Sequence, residues 1–215
     1  MEVAPARRSR GPSPERTART RAAILAAALD EFLDGGFAAT RMADVAARAG
    51  LAKGTLYLHF ADKEALFEGV LRGLVEAPLA GLAAAAPAEG EAVRDFLLRV
   101  LRPVLRDMEA SRRGAVIRLV VAEGGRFPAI AAMYRRIVIA PGLAAIGALA
   151  ARAAAAGELR GEALLRHPPL LVAPVVLAVL WNGLFAAGDP MDAEAMFEAQ
   201  LDLLFPVRGS HPAET

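Results

Sequence analysis

The sequence contains no cysteine, which removes a disulfide framework, a thiolate metal site and a cysteine nucleophile together. Histidine is nearly as scarce: His59, His167 and His211 stand far apart and without metal-ligand spacing, so no metal centre and no histidine-based catalytic set is expected. The patterns G-x-S-x-G and H-E-x-x-H and the dinucleotide fingerprint are missing, and "GLAKGT" fails as a phosphate-binding loop because its glycines are too close together. The chain is therefore expected not to be an enzyme and to need no cofactor. Lysine is almost absent. Of 25 basic residues only Lys53 and Lys63 are lysines, and both fall within one eleven-residue window.

What the chain has in abundance is apolar residues: 55% are hydrophobic and 23% charged, with mean hydropathy +0.37. Many are alanine, the strongest helix former, and no alternating pattern argues for strands, so an all-α fold is expected. The lack of cysteine fits a reducing compartment, and the cytoplasm is the expected location. Residues 1–21 are basic but lead into no apolar stretch with a small-residue cleavage site, so they do not read as a secretory signal. Residues 168–188 run twenty-one positions without a charge, the length of a spanning helix. Three prolines and Asn182 interrupt them and no basic cluster flanks them, so a buried helix at a subunit interface explains them better and no membrane partner is expected. Net charge is +1 overall, but residues 1–63 carry +3 and the remainder −2; the basic end is N-terminal.

Residues 1–13, rich in Arg, Pro and Ser, are expected to form a disordered basic arm. Ser13-Pro14 is a good helix entry, and Ile24, Leu25, Ala28, Leu29 and Phe32 follow helical spacing up to a stop at Gly35-Gly36. Thr40 is expected to cap a second helix, with Met42, Val45, Ala46 and Ala49 inside and Gly50 at its end. A third helix spans 53–60. Asp62 caps a fourth from Lys63 onward, carrying Leu66, Phe67, Val70, Leu71 and Leu74, which Pro78 kinks or ends. Further helices are expected at about 89–109, 112–124, 127–156, 169–187 and 191–205, about nine in all, with kinks at Pro103, Pro141 and Pro174. This gives a first domain of short helices over 14–62, a longer helical domain over 63–207 and a frayed tail at 208–215.

The second and third helices form a helix-turn-helix if small and apolar residues fall where they cross. Ala46 lets the backbones approach, Gly50 turns the chain, and Leu51 with Leu56 closes a small core. The outward positions of the third helix are then Lys53, Gly54, Thr55, Tyr57 and His59, groups suited to a phosphate backbone and a base edge. Leu58 faces out with no evident task. An ordinary helical hairpin, or a helical adaptor that binds protein, has the same pattern; heparin retention with steep salt dependence separates them from a DNA binder.

The run "TRAAILAAALDEFLDGGFAATRMADVAARAGLAKGTLYLHFADKEALFEGVL", residues 20–71, resembles the DNA-binding domain of TetR-family transcriptional regulators. The G-F-x-x-T entry, the Ala46/Gly50/Leu56 register, "GTLYLHF" and "DKEAL" occur in order at family spacing. The resemblance implies a repressor that binds double-stranded DNA at a pseudo-palindromic operator. Thr40 and Arg41 would hold phosphate, Lys53, Gly54 and Thr55 would face the major groove, Tyr57 and His59 would touch backbone or sugar, and Lys63 would hold phosphate. Two departures stand out: Ala52 and Asp62 occupy positions where many relatives have serine. The resemblance also implies a homodimer through the last two helices, about 169–187 and 191–205, and a pocket for a small apolar or aromatic effector. Candidates for that pocket are Met108, Arg118, Met133, Tyr134, Trp181, Asn182 and Phe185, with Glu123 beside them, and an effector is expected to quench Trp181.

Overall fold

In the computed structural model the described residues are 13–85, 87–108, 110–185 and 188–206; the basic arm before Ser13 and the tail after Pro206 lie outside them. Among the described residues the regular elements are all helical. They run α1 Pro14–Ala39, α2 Met42–Arg48, α3 Lys53–His59, α4 Lys63–Ala84, α5 Val93–Arg106, α6 Arg113–Glu123, α7 Pro128–Tyr134, a π-helical segment Arg135–Ile139, α8 Ala140–Ala155, α9 Ala163–Arg166, a 3-10 turn Pro168–Leu171, α10 Ala173–Phe185 and α11 Ala193–Leu204. They form two compact units, one ending at Val70 and the other starting at Leu71. The division lies inside α4, eight residues beyond the boundary read from the sequence. Leu66, Phe67 and Val70 are buried, so the first turns of α4 complete the core of the first unit.

In that unit α1 starts where expected, with the Ser13 hydroxyl accepting the Arg16 N–H at 3.3 Å and Pro14 in the first turn. Its inner stripe, Ile24, Ala28 and Phe32, is fully buried. Gly36 breaks the helix with φ 77° and ψ 166°, a conformation glycine adopts without steric cost. The turn after it brings Phe37 into a three-ring cluster: Phe32 and Phe37 stack at 5.6 Å, and Phe67 meets them edge-on at 5.1 and 5.6 Å. Gly69 marks the tightest approach. A Cβ there would stand 2.8 Å from Phe60 Cε1 and 2.9 Å from Leu25 Cδ2.

The Gly36 break also corrects the reading of Thr40. It closes α1 instead of opening α2, because its N–H (3.3 Å) and hydroxyl (2.7 Å) both reach the Gly36 carbonyl, with the Glu31 carbonyl 3.1 Å from the same hydroxyl. Carbonyls at a broken helix end need donors, and Thr40 supplies two. Arg41 takes the cap position of α2 and makes no side-chain capping bond.

In the second unit Val93, Leu97, Ile146, Ala150, Phe197 and Leu201 lie at the centre of one buried cluster. Gly157 (φ 67°) ends α8 in a Schellman turn, with its own N–H bonded to the Ala154 carbonyl and that of Glu158 to Ala153. The turn aims Glu158 at α5, where its carboxylate accepts the Val93 N–H at 2.8 Å. Antiparallel ionic rungs join α5 to α11: Arg94 to Asp202, Arg102 to Glu198 at 3.1 Å and Arg106 to Glu194 at 2.7 Å.

Pro78 sits inside α4, which continues to Ala84, and Pro174 lies in the first turn of α10. Pro141 follows a π-helical segment that divides the single helix expected over 127–156. A proline offers no N–H to the carbonyl four residues back and crowds it, and a widened turn relieves both problems. The run Pro128–Ala155 is long and apolar enough to cross a membrane by length and composition alone; Ile130, Ile137, Ile146, Ala150 and Ala153 along it are buried within the protein and the rest are exposed or half-buried. The uncharged stretch 168–188 is divided between a 3-10 turn and the thirteen-residue α10.

Candidate nucleic-acid interface

The turn between α2 and α3 is a second Schellman motif. Gly50, at φ 67°, donates to the Ala47 carbonyl at 3.0 Å and Leu51 to the Ala46 carbonyl at 2.9 Å. Leu56 at 0% and Phe60 at 5% exposure anchor α3 to the core, and Ala46 and Val45 are buried beneath it. This fixes which face of α3 looks outward. Lys53, Gly54 and Tyr57 are exposed, Thr55 and His59 half-buried, and Leu58 is 86% exposed. The Lys53 ammonium lies 5.8 Å from the centre of the Tyr57 ring. No side chain caps α3 at Ala52, so its first N–H groups have no local side-chain acceptor. Arg41 is exposed at the start of α2. On the other side of α2, Arg48 reaches Asp34 at 2.7 Å and Glu31 at 2.9 Å on α1, and the Asp34 hydrogen bond raises the Arg48 pKa.

Lys63 has a different place from the one expected. Its Nζ donates to the carbonyls of Phe37 at 2.7 Å and Ala38 at 3.3 Å, and lies 4.5 Å from the centre of the Phe37 ring. Two of its three N–H groups are thus spent on the last turn of α1. Asp62, as expected, caps α4, accepting the Ala65 N–H at 2.7 Å.

The candidate effector residues divide into two groups. Met108 and Tyr134 line a cavity of about 140 Å³ in the second unit, together with Leu71, Leu74 and Val75 of α4, Val116 and Ile117 of α6, and Val138 of the π-helical segment. Arg113, which sequence reasoning missed, is the charged member of that lining; an arginine opening a helix beside another arginine offers no periodic signal. Burial pushes the Tyr134 phenol up to about 12. The remaining candidates lie elsewhere. Trp181 donates to the Asp189 carbonyl at 2.7 Å and packs on Phe185 at 4.8 Å. Asn182 makes a paired bond with the backbone of Met191, at 2.9 and 2.8 Å. These two tie α10 to the start of α11, where Asn182 and Met108 line a second cavity of about 260 Å³ with Leu105 and Val179. Arg118 reaches the Val179 carbonyl at 3.4 Å, and its Cδ fills the space a Cβ at Gly183 would take. Met133, Phe185 and Glu123 do not line the cavity either.

The chain has two tyrosines, Tyr57 and Tyr134, so a Tyr57→Phe variant isolates the buried one. Its phenol should ionise at about 12 instead of the ordinary 10.0. The fold favours the neutral form, so the folded chain keeps a proton that the unfolded chain has lost. That stability is complete below pH 10 and disappears as pH rises through about 12. Ultraviolet difference titration reads the midpoint; a value near 10 would show that Tyr134 is solvated.

A glycine-turned helix pair that presents a polar and apolar face on its second helix, joined to a separate helical unit with a cavity, defines a helix-turn-helix protein of two units. Comparison with known proteins agrees. A model of bacterial regulatory proteins of the tetR family matches residues 24–70, and a model of the tetracyclin repressor-like C-terminal domain matches residues 86–200. The chain belongs to the tetR family of bacterial regulatory proteins. It is 34% identical over 116 residues to the HTH-type transcriptional regulator UidR of Escherichia coli K12, a match covering 54% of this chain and 57% of UidR. The chain thus spans little more than half the length of that relative. Among solved structures it is similar to Salmonella enterica GusR, with 29% identity, TM-score 0.66, and coverage of 86% of this chain and 95% of GusR. It is also similar to the flavonoid-responsive regulator FrrA, with 26% identity, TM-score 0.60, and coverage of 88% and 98%.

Proposed function

We propose that two copies of this chain bind a pseudo-palindromic DNA site in the cytoplasm and repress transcription there until a small apolar or aromatic molecule enters a cavity of the second unit. The observation that carries the DNA reading is the outward face of α3. Lys53 and Arg41 meet phosphate, Gly54 and Thr55 approach the base edges, and Tyr57 and His59 touch backbone or sugar. Leu58 gains a role in this reading. An apolar side chain so exposed on a recognition helix suits the C5-methyl of thymine, the one apolar group in the major groove. For the dimer, the support is the row of apolar side chains left open on α10 and α11, among them Leu177, Leu184, Phe185 and Leu203. The same face of a second copy would cover them in a four-helix bundle. FrrA is named for its response to a flavonoid, which favours an effector-controlled relative.

Footprinting the purified protein on the DNA upstream of its own gene tests the reading, with light scattering at micromolar concentration beside it. Two protected half-sites separated by a whole number of helical turns, and a mass twice that of one chain, are expected. A single asymmetric footprint or a monomer would overturn it. Leu58→Ala should relax thymine preference at one position of each half-site by about 1 kcal/mol, leaving the salt slope unchanged. An equal loss on every duplex would remove Leu58 from base reading.

A further inference from the structure

We infer that the cavity lined by Arg113 and Tyr134 in the second unit is built for a compact apolar monocarboxylate of about the size of benzoate, with the carboxylate held by those two side chains. The inference rests on the effector reading above and names its chemistry. Size comes first. A cavity of about 140 Å³ matches one of roughly 150 Å³ that accepts benzene, so the ligand has a single small ring or a short branched chain. Among the described residues its body meets aliphatic groups, the thioether of Met108 and the ring of Tyr134.

The polar inventory then selects the head group. Arg113 gives one N–H to Asp107 at 2.8 Å, while its Nε is buried with no partner among the described residues. A guanidinium carries five N–H donors, and Arg113 lines the cavity, so it keeps donor capacity for an acceptor there. Tyr134 forms no hydrogen bond with the described residues, and a phenol is protonated at neutral pH, so it too is available as a donor. Among the described residues no carboxylate lines the cavity. The Asp107 side chain is 56% exposed, against 15% for Arg113, so water screens the acid far more than the guanidinium and the interior stays positive. Two donors and a positive field suit two anionic oxygens. An amine would meet repulsion, and a sugar would bury hydroxyl donors with too few acceptors to receive them.

Calorimetric titration of the full chain with benzoate, hexanoate, benzyl alcohol and toluene tests the inference, with operator affinity measured in the same solutions. Benzoate or hexanoate should bind about tenfold or more tighter than benzyl alcohol, since a charged acceptor bonds more strongly than a neutral one; which acid binds better separates a ring from a chain. Tyr134→Phe should weaken the acid about fivefold and leave toluene unaffected, as loss of one hydrogen bond does. Arg113→Gln should abolish the preference for the acid, and Arg113→Lys should restore part of it if the glutamine variant folds poorly. Equal or tighter binding of the neutral probes overturns the inference while leaving an apolar effector in place, and no binding of any probe at millimolar concentration overturns it as well. Acid binding that leaves operator affinity unchanged would uphold the inference and defeat the effector reading on which the proposed function relies.

Discussion

Phe67→Ala should destabilise the first unit by about 3–5 kcal/mol, the range for deleting a fully buried aromatic side chain. Phe67 is at 0% exposure and touches both other rings of the cluster edge-on, at 5.1 Å from Phe32 and 5.6 Å from Phe37. Alanine removes the transfer free energy of the ring, leaves a cavity that rigid helices fill only in part, and breaks two edge contacts, each contributing about 0.5–1.5 kcal/mol beyond area. A domain is stable by only about 5–15 kcal/mol, so a large share of the unit's margin goes. The ring also fixes where Phe37 and the end of α1 lie, and hence the surface against which Lys63 is held. Denaturant melts should show a lower midpoint with unchanged slope, and Phe67→Leu should recover much of the loss. A shift under 1 kcal/mol for the alanine variant would mean that the three-ring cluster does not hold the unit together.

Lys63→Ala should act on stability before it acts on DNA. Its ammonium bonds two carbonyls in the last turn of α1 and sits over the Phe37 ring. Bonds from a charged donor contribute about 1.5–3 kcal/mol when buried; Lys63 is half-buried, so solvent reduces the expected loss to about 2 kcal/mol. A cation at a helix C-terminus is also favoured by the helix dipole, and alanine forfeits that contribution. At temperatures well below melting, the salt slope of DNA binding should stay as in the parent, because no phosphate partner has been removed. The opposite pattern, unchanged melting with a slope flatter by about one unit, is what a phosphate ligand gives. Lys63→Met, which keeps the stem over Phe37, should lose less than Lys63→Ala.

The two lysines show how far sequence reasoning reaches. Their shared window marked the helix-turn-helix, yet one faces solvent on α3 and the other turns inward to α1. Composition identified the segment, but the direction of each ammonium depends on where the α1 carbonyls end, and Gly36 sets that through a backbone angle. Thr40 was misread for the same reason. A threonine before an apolar run has the signature of an N-cap, but the broken end of α1 lay closer and took its hydroxyl.

In the second unit the helices followed from apolar spacing and glycine stops, while their partners did not. Trp181 and Asn182 stood out in an alanine-rich background as polar groups wanting a purpose, and they found it in the backbone of the α10–α11 connection. Arg113 carried no signal at all. Its significance comes from Tyr134 and Val138, more than twenty positions away, lining the same cavity.

The sequence by itself determined the helical class, the turn at Gly50, the entry at Ser13, the cap at Asp62 and the outward face of α3. Each of these depends on residues within one or two turns of one another, where period, propensity and capping chemistry act directly. Only the tertiary structure decided that Lys63 and Thr40 serve the end of α1, that Trp181 and Asn182 bind a loop, and that Arg113 and Tyr134 share a cavity. Hydrogen-bond donors go to whichever unsatisfied acceptor the fold brings near, and that proximity is a property of packed helices that no local pattern encodes.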